Sequence, residues 1–179
     1  MSFSFIIRCR LWKGFEWMKK NCRNIILHHR VFKRCCSEIE KEEQDRIFCR
    51  HDIAHLLDVA RLMMILNMKE KLHIDEDIIY ATALLHDVGR HLQYRYGIGH
   101  EISSALIAPQ ILRDCDFDKK AKRKILNAIM KHRDTKTCKE KNLNGLLYRA
   151  DKMSRACFCC KAEKWCNWPR SKKNLIMQY

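Results

Sequence analysis

Residues that break helices are scarce in this chain, and this scarcity restricts its fold more than any other feature of the sequence. The 179 residues include five Gly and two Pro, while 47% of all residues are hydrophobic. So few turn-forming residues favour long helices over a turn-rich β architecture. The length fits one domain with a sizeable core. We therefore expect an all-α protein.

Apolar side chains recur at helical spacing along most of the chain. The sequence predicts a central helix over residues 76–88, because that stretch is apolar on most sides. Asp52 is the expected N-cap of a helix over residues 52–67. Ser37 is the expected N-cap of a helix over residues 37–49. The other predicted helices cover residues 15–34, 100–113, 119–132 and 142–156.

Composition divides the chain into three predicted parts. Residues 1–47 read as a basic, helical N-terminal extension, residues 48–155 as the helical domain, and residues 156–179 as a basic tail rich in Cys and Trp that packs on or beside the domain. Of the net charge of +15, much lies near the ends, since residues 1–34 hold nine Lys and Arg against one Glu. Such a field attracts phosphorylated metabolites, nucleic acid or acidic lipid, but it is equally compatible with a solubilising surface.

The sequence features that bear on location favour the cytoplasm. No run of about 18 apolar residues is present, so we expect no membrane span. Arg8 and Arg10 interrupt the apolar start of the chain, which argues against a signal peptide. The eleven Cys form an odd number. Reduced thiols, some of them bound to metal, explain this number better than a disulfide framework does.

The tail contains a compact group of cysteines with two interpretations. Cys157 and Cys160 have the C-x-x-C spacing of a zinc knuckle, and Cys166 follows. A structural zinc on these three residues would take its fourth ligand from Cys159 or from the distant Cys49. The alternative is a set of reduced, partly buried thiols.

Polar side chains able to bind metal lie at or near the ends of several predicted helices. His86 and Asp87 stand side by side at the end of the most apolar helix. In helical bundles, metal sites are built from side chains on facing helices, so these residues are expected to meet others from distant parts of the chain. The other candidates are His51, His55, His100, His132 and Asp151.

The pattern formed by these residues resembles the HD-domain superfamily of metal-dependent phosphohydrolases. The family pattern, H…HD…D on a helical bundle, corresponds here to "HLLDV" from His55, "LLHDVGR" and "RADK". The resemblance covers roughly residues 48–155 and therefore implies an HD metal-binding helical domain.

The resemblance also implies a ligand set and a role for Asp87. The four core ligands would be His55, His86, Asp87 and Asp151, and Asp87 would bridge two metal ions. His100 and His132 are similar to the additional histidines of members that bind a second metal. The cofactor would be one or two divalent ions, with Fe, Mn, Ni, Zn, Co and Mg all compatible with His and Asp ligands.

The implied activity is hydrolysis of a small phosphate mono- or diester, such as a nucleotide, by metal-activated water. Asp87, His86 and Arg90 would then be catalytic, while Arg90, Lys131 and Lys152 would bind the phosphate, although each of these cations also suits a solvated helix end. Two alternatives remain open at the level of sequence. One is a non-catalytic sensor of a phosphorylated ligand, and the other is a nucleic-acid-associated protein that uses its basic surface.

Overall fold

Helices form the whole of the regular structure in the computed structural model, which describes residues 21–177. No β-strand occurs within that range, so the all-α prediction is confirmed. None of the described helices is both long enough and apolar enough to cross a membrane. The α-helices are α1 Cys22–His28, α2 Arg30–Glu42, α3 Ile53–Lys69, α4 Glu76–Leu85, α5 Arg90–Tyr96, α6 His100–Leu112, α7 Lys119–Lys131 and α8 Leu143–Met153.

Helix α4 lies between two groups of buried apolar side chains, as its nearly uniform apolar composition predicts. Its Leu84 and Leu85 pack with residues of α1, α2, α6 and α7. Its Ile79 and Ala83 pack with residues of α3, α7 and α8. Helix α4 is thus covered on both sides, and its C-terminal end lies inside the molecule.

Of the two predicted N-caps, Asp52 is confirmed and Ser37 is wrong. Asp52 caps α3 as expected, because its side chain accepts a hydrogen bond of 2.9 Å from the backbone N–H of His55. Ser37 does not begin a helix but lies within α2. The buried residues Phe32 and Ile39 lie on the same face before and after it, and this continuous packing overrides the local capping signal.

The described N-terminal part of the chain packs into the same core as the rest. Ile26 of α1 and Phe32 of α2 belong to the group of buried residues that also contains Leu84. The predicted helix over residues 15–34 is divided at His29, whose side chain accepts a hydrogen bond from the backbone of Val31 and caps α2. Residues 1–20 lie outside the described range.

The structure contains one short helix that the sequence analysis missed. Helix α5 begins directly after Gly89 and ends at Gly97, which adopts a left-handed conformation with φ of 70°. Between α8 and residue 177 the regular structure consists of short 3₁₀ turns, at Cys157–Cys159, Glu163–Trp165 and Arg170–Lys172. A further 3₁₀ turn, Thr135–Lys139, precedes α8.

Candidate metal centre

The loop that follows α4 carries His86 and Asp87 into the interior and is held there by α6. The backbone N–H of Gly89 donates to Ser104 Oγ at 2.9 Å, and Ser103 Oγ donates to the carbonyl of Gly89 at 2.9 Å. A Cβ on Gly89 would lie 2.4 Å from the backbone of Ser103 and of Ser104. Only glycine allows this approach, which sets the distance between the loop and α6.

Asp87 lies between two sets of side chains and presents a different carboxylate oxygen to each. Its Oδ2 lies 3.8 Å from His55 Nε2 and 3.5 Å from His86 Nε2. Asp151 Oδ1 joins this group, at 3.6 Å from His55 Nε2 and 3.9 Å from His86 Nε2. We call His55, His86, Asp87 and Asp151 together the His55 set.

The other oxygen of Asp87 faces a second pair of imidazoles. Asp87 Oδ1 lies 3.2 Å from His100 Nε2 and 3.7 Å from His132 Nε2. These three residues form the His100 set. Within residues 21–177, the groups of three or more potential ligands whose donor atoms all lie within 4.8 Å are His55, His86 and Asp87, and Asp87, His100 and His132.

Hydrogen bonds to backbone carbonyls orient the imidazoles of His86 and His132 so that their Nε2 atoms face Asp87. The Nδ1 atoms of His86 and His132 donate to the backbone carbonyls of Ala83 at 2.7 Å and Ile129 at 2.6 Å. Because a carbonyl only accepts, these Nδ1 atoms carry the protons and the Nε2 atoms carry lone pairs. The Nε2 of His86 is buried and has no hydrogen-bond partner.

The His100 set contains two such lone pairs that point at each other. Arg90 Nη1 donates to His100 Nε2 at 3.1 Å, so this nitrogen is also unprotonated. It lies 2.9 Å from His132 Nε2. Two unprotonated nitrogens at this distance repel each other unless a cation lies beside both. The donor chemistry of both sets therefore fits a divalent metal ion.

Burial and local charge hold these groups in the protonation states that metal binding requires. Burial lowers the pKa of His55 well below its usual value, that of His100 to about 2 and that of His132 to about 4. Burial alone would raise the pKa of Asp87, but the neighbouring His86 and Arg90 lower it well below its usual range. The imidazoles of His55, His100 and His132 are thus neutral and the carboxylate of Asp87 is ionised.

A cleft of about 230 Å³ opens beside the two sets and is lined by positive charge. Arg90 and Lys152, both predicted to bind phosphate, contribute to its wall, and so does Arg133. Lys131, also predicted to bind phosphate, is exposed and does not line this cleft. The other cationic lining residues are Arg46 and Arg155, and the aromatic ones are Phe48 and Trp168.

Several polar residues at the site escaped the sequence analysis. Arg155 is buried and donates to Asp151 Oδ1 at 2.9 Å. Its position four residues after Asp151, which puts both on one side of α8 and the turn after it, was the available signal. Glu43 accepts a hydrogen bond from the backbone N–H of His51 at 2.7 Å and lies 2.5 Å from its Nδ1. No sequence spacing links Glu43 to the site.

His51 and His55 have different environments, although both are buried. The Nε2 of His51 lies 4.0 Å from Asp87 Oδ2 and 3.3 Å from Arg155 Nη1, whereas its Nδ1 is occupied by Glu43. His55 lies closer to both carboxylates of its set. His55 remains the predicted motif histidine, and His51 lines the cleft.

Comparison with known proteins places this arrangement in a family. The sequence matches the HD domain family over residues 52–156, which include all six predicted ligands. The chain belongs to the HD-domain family. The resemblance seen in the sequence is therefore confirmed, and divalent metal binding is the property of HD domains that fits the two sets.

Two known proteins are similar to this chain, one in sequence and the other in fold. It is 42% identical over 156 residues to an uncharacterized protein of Clostridium beijerinckii, a match that covers 87% of this chain and 98% of the relative. Its fold is similar to the crystal structure of a predicted HD superfamily hydrolase from an uncultured Thermotogales bacterium. That match has a TM-score of 0.56 and 22% identity, and it covers 83% of this chain and 86% of the other.

Proposed function

We propose that this HD-domain protein is a metal-dependent phosphohydrolase that cleaves a small phosphate mono- or diester, with a nucleotide as the favoured class. The observation that carries the proposal is the position of Asp87, whose two oxygens face separate groups of buried imidazoles beneath a cationic cleft. The His55 set would hold one divalent ion and the His100 set a second one.

When bound, such ions supply Lewis-acid stabilisation of phosphoryl oxygens and lower the pKa of a coordinated water. The side chains of this chain perform the remaining tasks. Asp87 orients both sets, and the backbone carbonyls of Ala83 and Ile129 hold the rings of His86 and His132 in the ligating tautomer.

The cations of the cleft would bind and orient the phosphate. Arg90 is held by Tyr94, whose hydroxyl accepts from Arg90 Nε at 3.1 Å, and this contact directs the guanidinium towards the His100 set. Lys152 lies on the opposite side, with Nζ 2.5 Å from Asp151 Oδ2. Planar guanidinium groups bind phosphate oxygens in a bidentate manner, and this favours Arg90 as the principal contact.

The preference for a nucleotide rests on the aromatic side chains in the same wall. Trp168 and Phe48 line the cleft together with the cations, and Lys152 Nζ lies 5.9 Å from the centre of the Trp168 ring. An aromatic face beside a phosphate-binding group can stack on a nucleobase.

The proposal is tested with the full chain loaded separately with Mn²⁺, Fe²⁺, Ni²⁺, Co²⁺ and Zn²⁺. The substrates are an aryl phosphate monoester, an aryl phosphodiester, nucleoside monophosphates and cyclic nucleotides. We expect metal-dependent release of phosphate or of the alcohol from at least one of them, and its loss in Asp87→Ala. Metal binding and phosphate binding without turnover of any ester would contradict the proposal and indicate a sensor.

A further inference from the structure

Cys49 and three cysteines of the tail line two adjoining cavities, although more than a hundred residues separate Cys49 from the tail. Cys49, from the segment between α2 and α3, lines the cleft together with Cys157 and Cys166 of the tail. Cys160 lines an adjoining cavity that Cys49 also borders. All four are free thiols. Burial raises the pKa of Cys157, and the charges of Cys49, Cys166 and Cys160 act on it in the same direction.

The tail that carries three of these thiols lacks a core of its own. Within residues 156–177, Cys157 and Ala162 are the buried residues. Larger apolar side chains remain in solvent, with Trp165 71% and Ile176 71% exposed. Burial of apolar surface therefore contributes little to the conformation of the tail, and a metal cross-link would add to its stability.

The backbone of the tail presents the thiols from the ends of two tight turns. Cys157 and Cys160 close the first 3₁₀ turn, since the N–H of Cys160 donates to the carbonyl of Cys157 at 3.3 Å. Cys166 closes the second, and its N–H donates to the carbonyl of Glu163 at 3.2 Å. Cys159 lines the same cavity as Cys49 and Cys160, but it is exposed and its Sγ donates to the carbonyl of Ala156 at 3.6 Å, so it is not included in the proposed set.

Lys173 interacts electrostatically with Cys166 and Cys157, although Glu163 is its main partner and the largest cause of the raised pKa of Lys173. Lys173 Nζ donates to the backbone carbonyl of Glu163 at 2.8 Å and to its carboxylate at 2.7 Å, within the loop that joins Cys160 to Cys166. Asn174 fixes the same end of the tail to the end of α8, because its Nδ2 donates to the carbonyls of Met153 and Arg155.

We propose that Cys49, Cys157, Cys160 and Cys166 bind a structural Zn²⁺ ion that fastens the tail to the segment preceding α3. Zinc favours four thiolates in tetrahedral geometry, with Zn–S distances of about 2.3 Å. In the described part of the chain the sets already at ligating distance are the two His and Asp sets, so the four sulfurs must approach to roughly 3.8 Å of one another. Each thiol releases its proton to solvent as the ion binds.

The zinc site would act on the proposed catalytic cleft without touching substrate. Trp168 follows Cys166 by two residues and lines the cleft, as do Cys49 and Cys157. A cross-link at these positions holds one wall of the cleft in place. The site is chemically separate from the His55 and His100 sets, which contain nitrogen and oxygen donors.

The test measures zinc in the full chain, purified with a reductant, in an Asp87→Ala background that weakens both His and Asp sets. We expect about one zinc per chain, lost with Cys49→Ser or with Cys157→Ser and retained with the matched control Cys159→Ser. Circular dichroism checks that each variant is folded. Co²⁺ added to the otherwise wild-type chain should give a near-ultraviolet sulfur-to-cobalt charge-transfer band, which the same two cysteine variants abolish.

Four results would overturn the proposal. They are a zinc content that does not depend on Cys49 and Cys157, equal loss of zinc in Cys159→Ser, a disulfide among the four residues in the reduced preparation, and iron with acid-labile sulfide in place of zinc. Because the zinc readout does not involve turnover, failure of the proposed phosphohydrolase activity would leave this test intact.

Discussion

Arg155 donates a 2.9 Å hydrogen bond to Asp151 through Oδ1, the same oxygen that lies 3.6 Å from the imidazole of His55. Its guanidinium thereby supplies positive charge to a buried carboxylate in the chain without metal. Burial alone would raise the pKa of Asp151, but Arg155 and Lys152 lower it well below its usual range. A divalent cation in the His55 set would take over part of this role.

Replacing Arg155 should therefore make stability depend more strongly on metal. We expect Arg155→Met to lower the free energy of unfolding of the metal-free protein by about 1–3 kcal/mol, because the buried carboxylate of Asp151 loses one of its two cationic partners and keeps only Lys152. Saturating Mn²⁺ should restore most of the loss. Urea denaturation with and without Mn²⁺ measures both values.

Arg149 offers a matched control for this experiment. It lies on the same helix, α8, and makes bonds of 2.7 and 2.8 Å to the carboxylate of Glu70, away from the metal centre. Arg149→Met should lower the free energy of unfolding by the same amount with and without Mn²⁺. If Arg155→Met lowers the free energy of unfolding by the same amount with and without Mn²⁺, Arg155 does not take the place of a metal ion beside Asp151.

The two sets should lose metal separately. We expect His100→Ala to reduce the bound metal from about two ions per chain to about one, because the His55 set keeps all its ligands. Asp87→Asn should weaken both sites, since each set uses one oxygen of Asp87. Elemental analysis after gel filtration measures the stoichiometry.

The exposed His28 provides the control for histidine removal. His28→Ala should retain the wild-type stoichiometry. Complete loss of metal in His100→Ala, in a variant that remains helical, would show that the two sets do not act as separate sites.

The close contact at Gly89 should make that position intolerant of any side chain. A Cβ there would lie 2.4 Å from the backbone of α6, so Gly89→Ala should lower the free energy of unfolding by about 1–3 kcal/mol. Because the same contact sets the distance between Asp87 and His100, metal binding by the His100 set should fall as well.

Gly97→Asn is the control, since that position has open space and Asn tolerates its positive φ. Metal binding by the His100 set that remains unchanged in Gly89→Ala would contradict this account.

The metal-free protein should lose stability as the solution becomes acidic. The pKa of His132 is about 4 in the folded chain, below the usual unfolded value of about 6.5. Between these values the unfolded chain binds a proton that the folded chain does not, so the free energy of unfolding falls as pH is lowered from 6.5 to 4. His100, with a pKa of about 2 in the folded chain, adds to the fall in the free energy of unfolding over the same pH range.

Urea titrations of the chelator-treated protein between pH 7 and pH 4.5 test this expectation. His132→Gln should reduce the slope, because one buried imidazole no longer titrates. A free energy of unfolding that stays constant between pH 7 and pH 5 would contradict it.

Local chemistry was sufficient to predict those parts of the fold that depend on neighbouring residues. Asp52 caps α3 because its side chain reaches the backbone three residues on, and the central place of α4 follows from its composition. Ser37 satisfied the same local rule, yet its helix begins earlier because Phe32 and Ile39 pack on one face. Helix α5 was missed because it is short and directly follows Gly89.

The candidate ligands followed from a motif, but their supporting residues did not. His55, His86, Asp87 and Asp151 were proposed from the HD pattern, and the structure brings them together. Glu43, which orients His51, is fixed by the approach of α2 and has no sequence spacing that marks it. Contacts that arise only from tertiary packing leave no periodic signal in one sequence.

The contact between His55 and Ser154, whose side chains meet across 99 positions, has a consequence for biosynthesis. Helix α8 delivers both Asp151 and Ser154, and it is the last α-helix of the described chain. A polypeptide still emerging from the ribosome therefore presents His86 and Asp87 without the carboxylate that completes their set. If the His55 set binds metal as proposed, its loading must await the folding of α8.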